Sequence, residues 1–456
     1  MKVSEGPETP RSLKKVLIIA YVFPPSAGSA VWRTLKFVKH LPEFGWQPYV
    51  VTPRSPDHSV FDPSLLKDVP PEARVYRVAA LPLGRWVSAL SSLLLKRPIS
   101  HEYVGFPKEA FNTSRPLVFR VLRALIYGFL VPDSSVGWVP FAVSRGVNLV
   151  RRHRIDAIYA TGTPWSDFMA GYLISLLTGR DLILDFRDLW TLHPWVPSEG
   201  WLNDTLDRLW ERRIVTRARH MVFTTENWIQ RYRERYPKLP PEKFHYIPHG
   251  YDPQDFGGLA PQKDPYHFTV SHVGTVTYPS RADVFLTAVR CLVDRRPELW
   301  QRLRIRFIGT GGALVQEWVN KLYLQSIVEV IPYVDHTSSL QYLLDSHLLL
   351  LLNHNPPDLL LAAIGGKTYE YLASGVPVLA LTPEGAVADL IRHTNAGTVV
   401  ELEDVDGIEQ SLEYYCAAFS AGAMPRGAAP ESVIPFQRRE ATRQLAALID
   451  GVAVSE

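Results

Sequence analysis

Short, wholly apolar runs that alternate with helix-patterned stretches constrain this chain more than any other feature. Residues 15–21 read KVLIIAY and residues 347–352 read HLLLLL. A strand with one wet face alternates apolar and polar residues. A strand covered on both faces is apolar throughout, and such strands belong to parallel sheets with helices on either side. The first run ends in a turn containing Pro24, Pro25 and Gly28. Helical spacing follows over 30–41, then a second strand over 48–52, which together make a βαβ unit. The rhythm continues with strands at 155–160, 182–186, 220–224 and 244–247 and helices at 165–177 and 201–216. It restarts after a Pro/Gly/Asp-rich stretch at 252–264, with strands at 268–273, 304–308, 328–331, 347–352, 376–381 and 397–400. Helices fall at 282–293, 313–322 and 436–449. The fold class expected is α/β, with two tandem Rossmann-like doubly wound domains and an interdomain cleft at the carboxyl ends of their strands.

The division predicted from this pattern is a disordered leader over 1–13, an N-terminal domain over 14–251 and a linker over 252–264. A second domain spans 265–430, and a C-terminal helix within 431–456 packs back toward the first. A length of 456 residues suits two cores of that size. Residues 81–132 break the rhythm with two apolar, basic helical stretches, 83–96 and 117–131. These read either as a membrane-surface insertion or as ordinary packed helices. No run reaches the ~18 uncharged apolar residues a spanning helix requires. A net charge of +3, from 49 Lys and Arg against 46 Asp and Glu, argues against a dedicated nucleic-acid binder. Two cysteines, Cys291 and Cys416, exclude a disulfide scaffold or a thiolate zinc cluster and point to a reducing, cytoplasmic compartment. With no HExxH pairing among the histidines, no metal site is expected, and no GxSxG elbow argues for acyl transfer.

The strongest chemical signal is residues 364–381, IGGKTYEYLASGVPVLAL. Gly365 and Gly366 lead into Lys367 and Thr368, which open a helix that Gly375 closes. A glycine turn at a helix start presents backbone N–H groups at the positive end of the dipole, a ready diphosphate site, and Lys367 adds a full charge there. Glu370 lies one turn on, where a carboxylate can accept from two vicinal sugar hydroxyls. The plainer alternative is a helix start with an i,i+3 Lys367–Glu370 salt bridge. The second constellation is Asp185-Phe186-Arg187-Asp188 at the carboxyl end of an apolar strand. Arg187 stays protonated and so can stabilise a departing diphosphate but cannot be a base. Asp188 can orient an acceptor or take its proton. The alternative is a structural Asp–Arg pair at a strand end.

These segments together resemble glycosyltransferase family 4, enzymes of the GT-B fold, and in particular its bacterial polysaccharide-biosynthesis type. GKTYEYLASGVPVLAL is similar to the family's donor-binding segment, and YVFPPSAGSAVWR (21–33) to its first glycine-containing loop. YATGTPWSDFMAG (159–171) with DFRDLW (185–190) resembles a bacterial subgroup. YIPHGYD (246–252) is similar to the end of the N-terminal domain and SHVGTVTYPSRADVFLTAV (271–289) to the start of the donor domain. The likeness runs over roughly 14–450.

The resemblance implies a retaining transfer of sugar from a nucleotide-sugar, with no metal or other cofactor, to a glycan or lipid-linked acceptor in cell-surface polysaccharide synthesis. It implies a cytoplasmic location, peripheral at the inner face of the membrane if 81–131 touches lipid. Glu370 resembles the glutamate that holds the nucleotide ribose. Arg281 resembles the basic residue facing the donor diphosphate, with Lys367 and the amides of Gly366 and Thr368 where phosphates dock. Gly28 and Gly274 stand where loops approach the donor, and Gly309 and Gly311 shape the nucleotide pocket. Arg187, Asp188 and Asp185 take the catalytic positions. The family commonly has a second glutamate eight positions before Glu370, where this chain has Ala362, with Asp358 nearby in the same loop. That departure keeps open a non-catalytic sugar-nucleotide-binding or scaffold protein and, as a third reading, a nucleotide-sugar epimerase.

Overall fold

The computed structural model describes residues 13–54, 61–86, 130–192, 201–277, 280–353 and 363–451. Within them the chain forms two compact units, one from residues up to 248 together with 438 onward, the other from 249–437. The leader, most of the apolar region at 81–132, and Ala362 with Asp358 lie outside the described residues.

The first unit is built on a sheet of β1 (Lys14–Ile19), β2 (Trp46–Pro53), β3 (Arg74–Val78), β4 (Ala157–Gly162), β5 (Asp181–Phe186), β6 (His220–Phe223) and β7 (Phe244–Tyr246). The strands run parallel in the order β3-β2-β1-β4-β5-β6-β7. Helices α1 (Ser29–His40), α2 (Val139–His153), α3 (Ser166–Thr178), α4 (Trp201–Arg217) and α5 (Glu226–Arg235) connect them. In α1 the buried residues Val31, Leu35 and Val38 recur at helical spacing and form its inner stripe. Helix α2 carries Arg151, Arg152 and His153 in its last turn, where cations oppose the negative end of the dipole. Strand order reverses between β1 and β4, so the loops leaving these two strands flank a crevice at the sheet's carboxyl edge.

The second unit repeats the plan with β8 (Phe268–Val273), β9 (Leu303–Ile308), β10 (Val328–Ile331), β11 (Leu348–Leu352), β12 (Val378–Leu381) and β13 (Gly397–Val400), parallel in the order β10-β9-β8-β11-β12-β13. Its helices include α6 (Ala282–Arg295), α7 (Gly312–Lys321), α8 (His336–Leu344), α9 (Gly366–Ala373), α10 (Ala386–His393) and α11 (Val405–Ser420). The run of leucines in β11 shows why the pattern is apolar at every position. Leu348, Leu350 and Leu352 pack into one core with Val270, Ile305 and Phe307. Leu349 and Leu351 pack into the opposite core with Val378, Ala380 and Tyr371.

The last helix, α12 (Arg438–Asp450), belongs to the first unit. It buries Ala441, Leu445, Ala446 and Leu448, and it pairs Asp450 with Lys14 at 2.7 Å and Arg439 with Glu43 at 2.6 Å. The stretch read from sequence as a linker, 252–264, is packed on the second unit. Asp252 caps the short helix Pro253–Phe256, Gln262 N–H donates to Asp345 and Ala260 C=O accepts from Gln341. Its prolines and aspartates mark turns of a folded segment. Strand β3 has no counterpart in the sequence reading: Arg-Val-Tyr-Arg-Val sits at the sheet edge and is only partly buried.

Burial holds His272, which donates Nδ1–H to Leu350 C=O, down at about 4, and burial likewise lowers His220 and His347 to about 4. A histidine in the unfolded chain titrates near 6.5. Below that pH the unfolded state takes up protons that the folded state refuses until about pH 4, so stability falls across this window. His272, wholly buried, contributes up to about 3 kcal/mol of the loss. Thermal melts should show a falling Tm from pH 7 to pH 5, with a shallower slope in His272→Asn. A flat profile, or an unchanged slope in that variant, contradicts this.

Candidate functional site

In the second unit, two glycine loops and one helix start meet the carboxyl edge where strand order reverses, between β8 and β11. The loop after β8 is zipped to the loop after β9 by backbone bonds from Gly274 N–H to Ile308 C=O (2.9 Å) and Val276 N–H to Thr310 C=O (3.0 Å). Gly309 (φ +133°) and Gly311 (φ +85°) hold conformations that side chains resist, and a Cβ would stand 2.1 Å from Gly274 O and 1.8 Å from Val276 O respectively. These glycines are required by the loop-to-loop seam itself.

Helix α9 begins at Gly366 after Gly365, with no side-chain cap on its first N–H groups. Tyr371 anchors it by accepting Val273 N–H at 2.7 Å at the end of β8. Thr368 is buried in the first turn. On the same turn, Lys367 Nζ lies 2.8 Å from Glu370 Oε2. Glu370 is 6% exposed. Burial opposes its charge, but the Lys367 ammonium and the His336 N–H outweigh it and hold the carboxyl far below the usual range. An ionised carboxylate accepts only, so His336 Nε2, 3.0 Å from Oε1, carries the proton. Lys367 Nζ also donates to Ser339 Oγ at 3.1 Å. His336 and Ser339 stand on the first turn of α8, some thirty residues away in sequence, and nothing in their local pattern announces the contact.

Arg281 does not join this cluster. Left-handed at the start of α6 (φ 51°), it gives Nε to Asp283 Oδ1 at 3.1 Å and Nη1 to Glu403. The Asp283 hydrogen bond, then the nearby carboxylate charges, raise its pKa. The sequence reading aimed this guanidinium at the donor diphosphate. In the structure two carboxylates already balance it.

In the first unit, Asp185 is wholly buried at the end of β5. Its carboxylate takes a bidentate contact from Arg33 (2.9 Å), Tyr159 OH (2.6 Å) and Thr161 Oγ1 (3.2 Å). Arg33, itself 3% exposed, also donates to the carbonyls of Ile247 and Pro248. Through Arg33, Asp185 links the end of β5 to α1 and to the segment that follows β7. Arg187, 8% exposed, donates to the carbonyls of Gly162 (3.1 Å), Ala30 (2.6 Å) and Thr163, tying the loop after β4 to the start of α1. Gly28 (φ +112°) immediately precedes that start. Asp188, half-buried, accepts from Thr163 Oγ1 at 2.9 Å. Of the three it has the most access to solvent.

The segment beyond Asp188 is held by Glu211 of α4, which accepts from Thr191, Tyr232 and Tyr236. Asp133 caps α3 through Ser166 N–H and Oγ. Trp165 and Trp190 stack on each other, centroids 5.6 Å apart and 7° from parallel, and both are buried. They pack the core rather than present a face to sugar. Among the described residues no group of His, Cys, Asp or Glu is arranged to hold a metal ion, and no helix is long and apolar enough to cross a membrane.

Residues 83–255 match the family model of Glycosyltransferase Family 4, and residues 267–417 match that of Glycosyl transferases group 1. No curated protein matches the sequence. Among solved structures, the chain is similar to sucrose-phosphate synthase from Thermosynechococcus elongatus, with 14% identity over 96% of this chain and 98% of that one and a TM-score of 0.63. It is also similar to WaaG, a glycosyltransferase involved in lipopolysaccharide biosynthesis, with 16% identity over 96% and 100% and a TM-score of 0.56. A UDP-N-acetylglucosamine 2-epimerase shares the architecture at 11% identity over 96% and 97%, TM-score 0.52. The same fold is thus found in a glycosyltransferase and in an epimerase.

The Arg33–Asp185 pair carries a sharp expectation. Asp185→Asn leaves a guanidinium buried without its counter-charge and should cost about 3–5 kcal/mol in urea unfolding, whereas Arg33→Met with Asp185→Leu should cost markedly less. A loss below about 1 kcal/mol for the single variant would remove the anchoring role.

Proposed function

We infer the reaction from one premise: the chain belongs to the GT-B glycosyltransferases, family 4 in its first half and group 1 in its second. We propose that it takes a nucleotide-sugar as donor on the second unit and a glycan or lipid-linked acceptor on the first, with retention at the anomeric carbon. The observation that carries this is the Lys367–Glu370 pair on the uncapped first turn of α9. Lys367 and the amides around Gly366 and Thr368 supply the positive charge a diphosphate needs, and Glu370 supplies the acceptor oxygens a ribose needs. The reading calls on no metal ion.

In this reading the bond between the anomeric carbon and the diphosphate oxygen breaks while the acceptor oxygen bonds to the same face. The acceptor proton passes to the departing diphosphate oxygen. No protein nucleophile is required, and the residues act through position and charge. Asp188, the most accessible of its trio, orients the acceptor hydroxyl. Arg187 fixes the loop that carries Thr163, which in turn holds Asp188. WaaG, which shares the fold, is a glycosyltransferase involved in lipopolysaccharide biosynthesis, and a cell-surface glycan is the acceptor class proposed here. The apolar, basic composition of 81–131 supports peripheral contact with a membrane.

The test is a panel of nucleotide-sugars, each scored for binding, slow hydrolysis and a change of sugar configuration. At least one should bind and be hydrolysed without epimerisation. Lys367→Ala should cut turnover by about tenfold or more. Arg281→Ala, whose partners are Asp283 and Glu403, should change it by less than about threefold. No binding by any donor would favour a scaffold protein, and an epimerised product would favour an epimerase.

A further inference from the structure

The first turns of α8 and α9 grip each other through four side chains. Lys367 and Glu370 are an i,i+3 pair on α9, and His336 and Ser339 are an i,i+3 pair on α8. His336 Nε2–H donates to Glu370 Oε1, and Lys367 Nζ donates to Ser339 Oγ, which donates on to His336 C=O at 2.7 Å. Asp335 caps α8 by accepting Ser338 N–H at 3.0 Å, which fixes the turn that carries both residues. Each member of the ion pair is thus held by a separate group on the neighbouring helix. The two charges can part without either losing every partner, because Glu370 keeps His336 and Lys367 keeps Ser339.

We propose that His336 and Ser339 are positioning residues of the donor site, and that a nucleoside diphosphate enters by exchanging the partner of Lys367. Lys367 leaves Glu370 for the diphosphate. Glu370, held in orientation by His336, turns the freed acceptor capacity of Oε2 to the hydroxyls of the ribose. Neither group ends with fewer partners: one ammonium–carboxylate contact is lost, and in its place Lys367 gains a phosphate and the vacated carboxylate oxygen gains a hydroxyl donor. A ligand with diphosphate but no ribose breaks the ion pair and leaves Glu370 with His336 alone. A ligand with ribose but no diphosphate finds Oε2 occupied. The clasp therefore selects for both halves of the donor on one molecule. This inference rests on the assignment of the donor to Lys367 and Glu370.

The experiment uses the full chain, calorimetric titration with the nucleoside diphosphate that the wild type binds best and with inorganic pyrophosphate, and donor KM and kcat. His336→Leu should weaken the nucleoside diphosphate by about tenfold or more, the loss of one hydrogen bond to a charged group, and pyrophosphate at least as much, because Glu370 then keeps no partner when Lys367 leaves it. Donor KM should rise with kcat nearly unchanged, and His336→Gln, which keeps an N–H donor, should restore most of the loss. Glu370→Gln should tighten pyrophosphate by about threefold or more, because Lys367 is released to it, while weakening the nucleoside diphosphate. Equal binding by wild type and His336→Leu overturns the proposal. So does wild-type pyrophosphate affinity in Glu370→Gln, which means that Lys367 is not exchanged between carboxylate and diphosphate. Failure of the wild type to bind any nucleoside diphosphate overturns the donor assignment and this inference with it.

Discussion

Everything else in this protein follows from the burial of parallel strands on both faces. A strand such as β11, with alternate leucines in opposite cores, has no surface on which to carry chemistry. Polar function is pushed to the strand ends, and the reversal of strand order in each sheet decides which ends matter. In the first sheet these are the ends of β1 and β4, in the second those of β8 and β11. The glycine seam, the Lys367–Glu370 pair, Arg187 and Asp188 all stand at the carboxyl ends of strands or in the loops and helix starts that follow them.

The same constraint explains why so many charges arrive already partnered. A carboxylate withdrawn from water has to be compensated, and this chain does it in three ways. Asp185 is met by a guanidinium, Glu211 by three hydroxyls, and Asp133 by a helix start and a serine. The first two hold segments of the first unit in place. Lys367 and Glu370 differ, since Lys367 is partly exposed and its contact with Glu370 spans a single helical turn.

The fold was legible because periodicity reports burial directly. The run at 268–273 and the run at 328–331 are strands with those limits, set by apolar residues between turns. Strand β3 was illegible because an edge strand with two arginines has no apolar signature. At the candidate site, the spacing of Lys367 and Glu370 was readable because both sit on one helix. The grip of His336 and Ser339 was not, because contacts between helices depend on how strands are ordered in the sheet. Arg33 left a trace, a lone arginine in the apolar sequence VWRTLKFV, which implies a buried partner without naming it. The partners of Asp185 and Arg281 were not legible for one reason. Sequence shows which residues are charged but not which charges have neutralised each other.

The return of α12 to the first unit has a consequence for biogenesis. The sheet of that unit is complete once β7 has been made, but Leu445, Ala446 and Leu448, which cover α1 and its neighbours, come only after the whole second unit. The unit translated first is therefore finished last. While the ribosome works through some two hundred intervening residues, an apolar flank of the nascent first unit stays uncovered, and the growing chain must tolerate it or have it shielded by a chaperone.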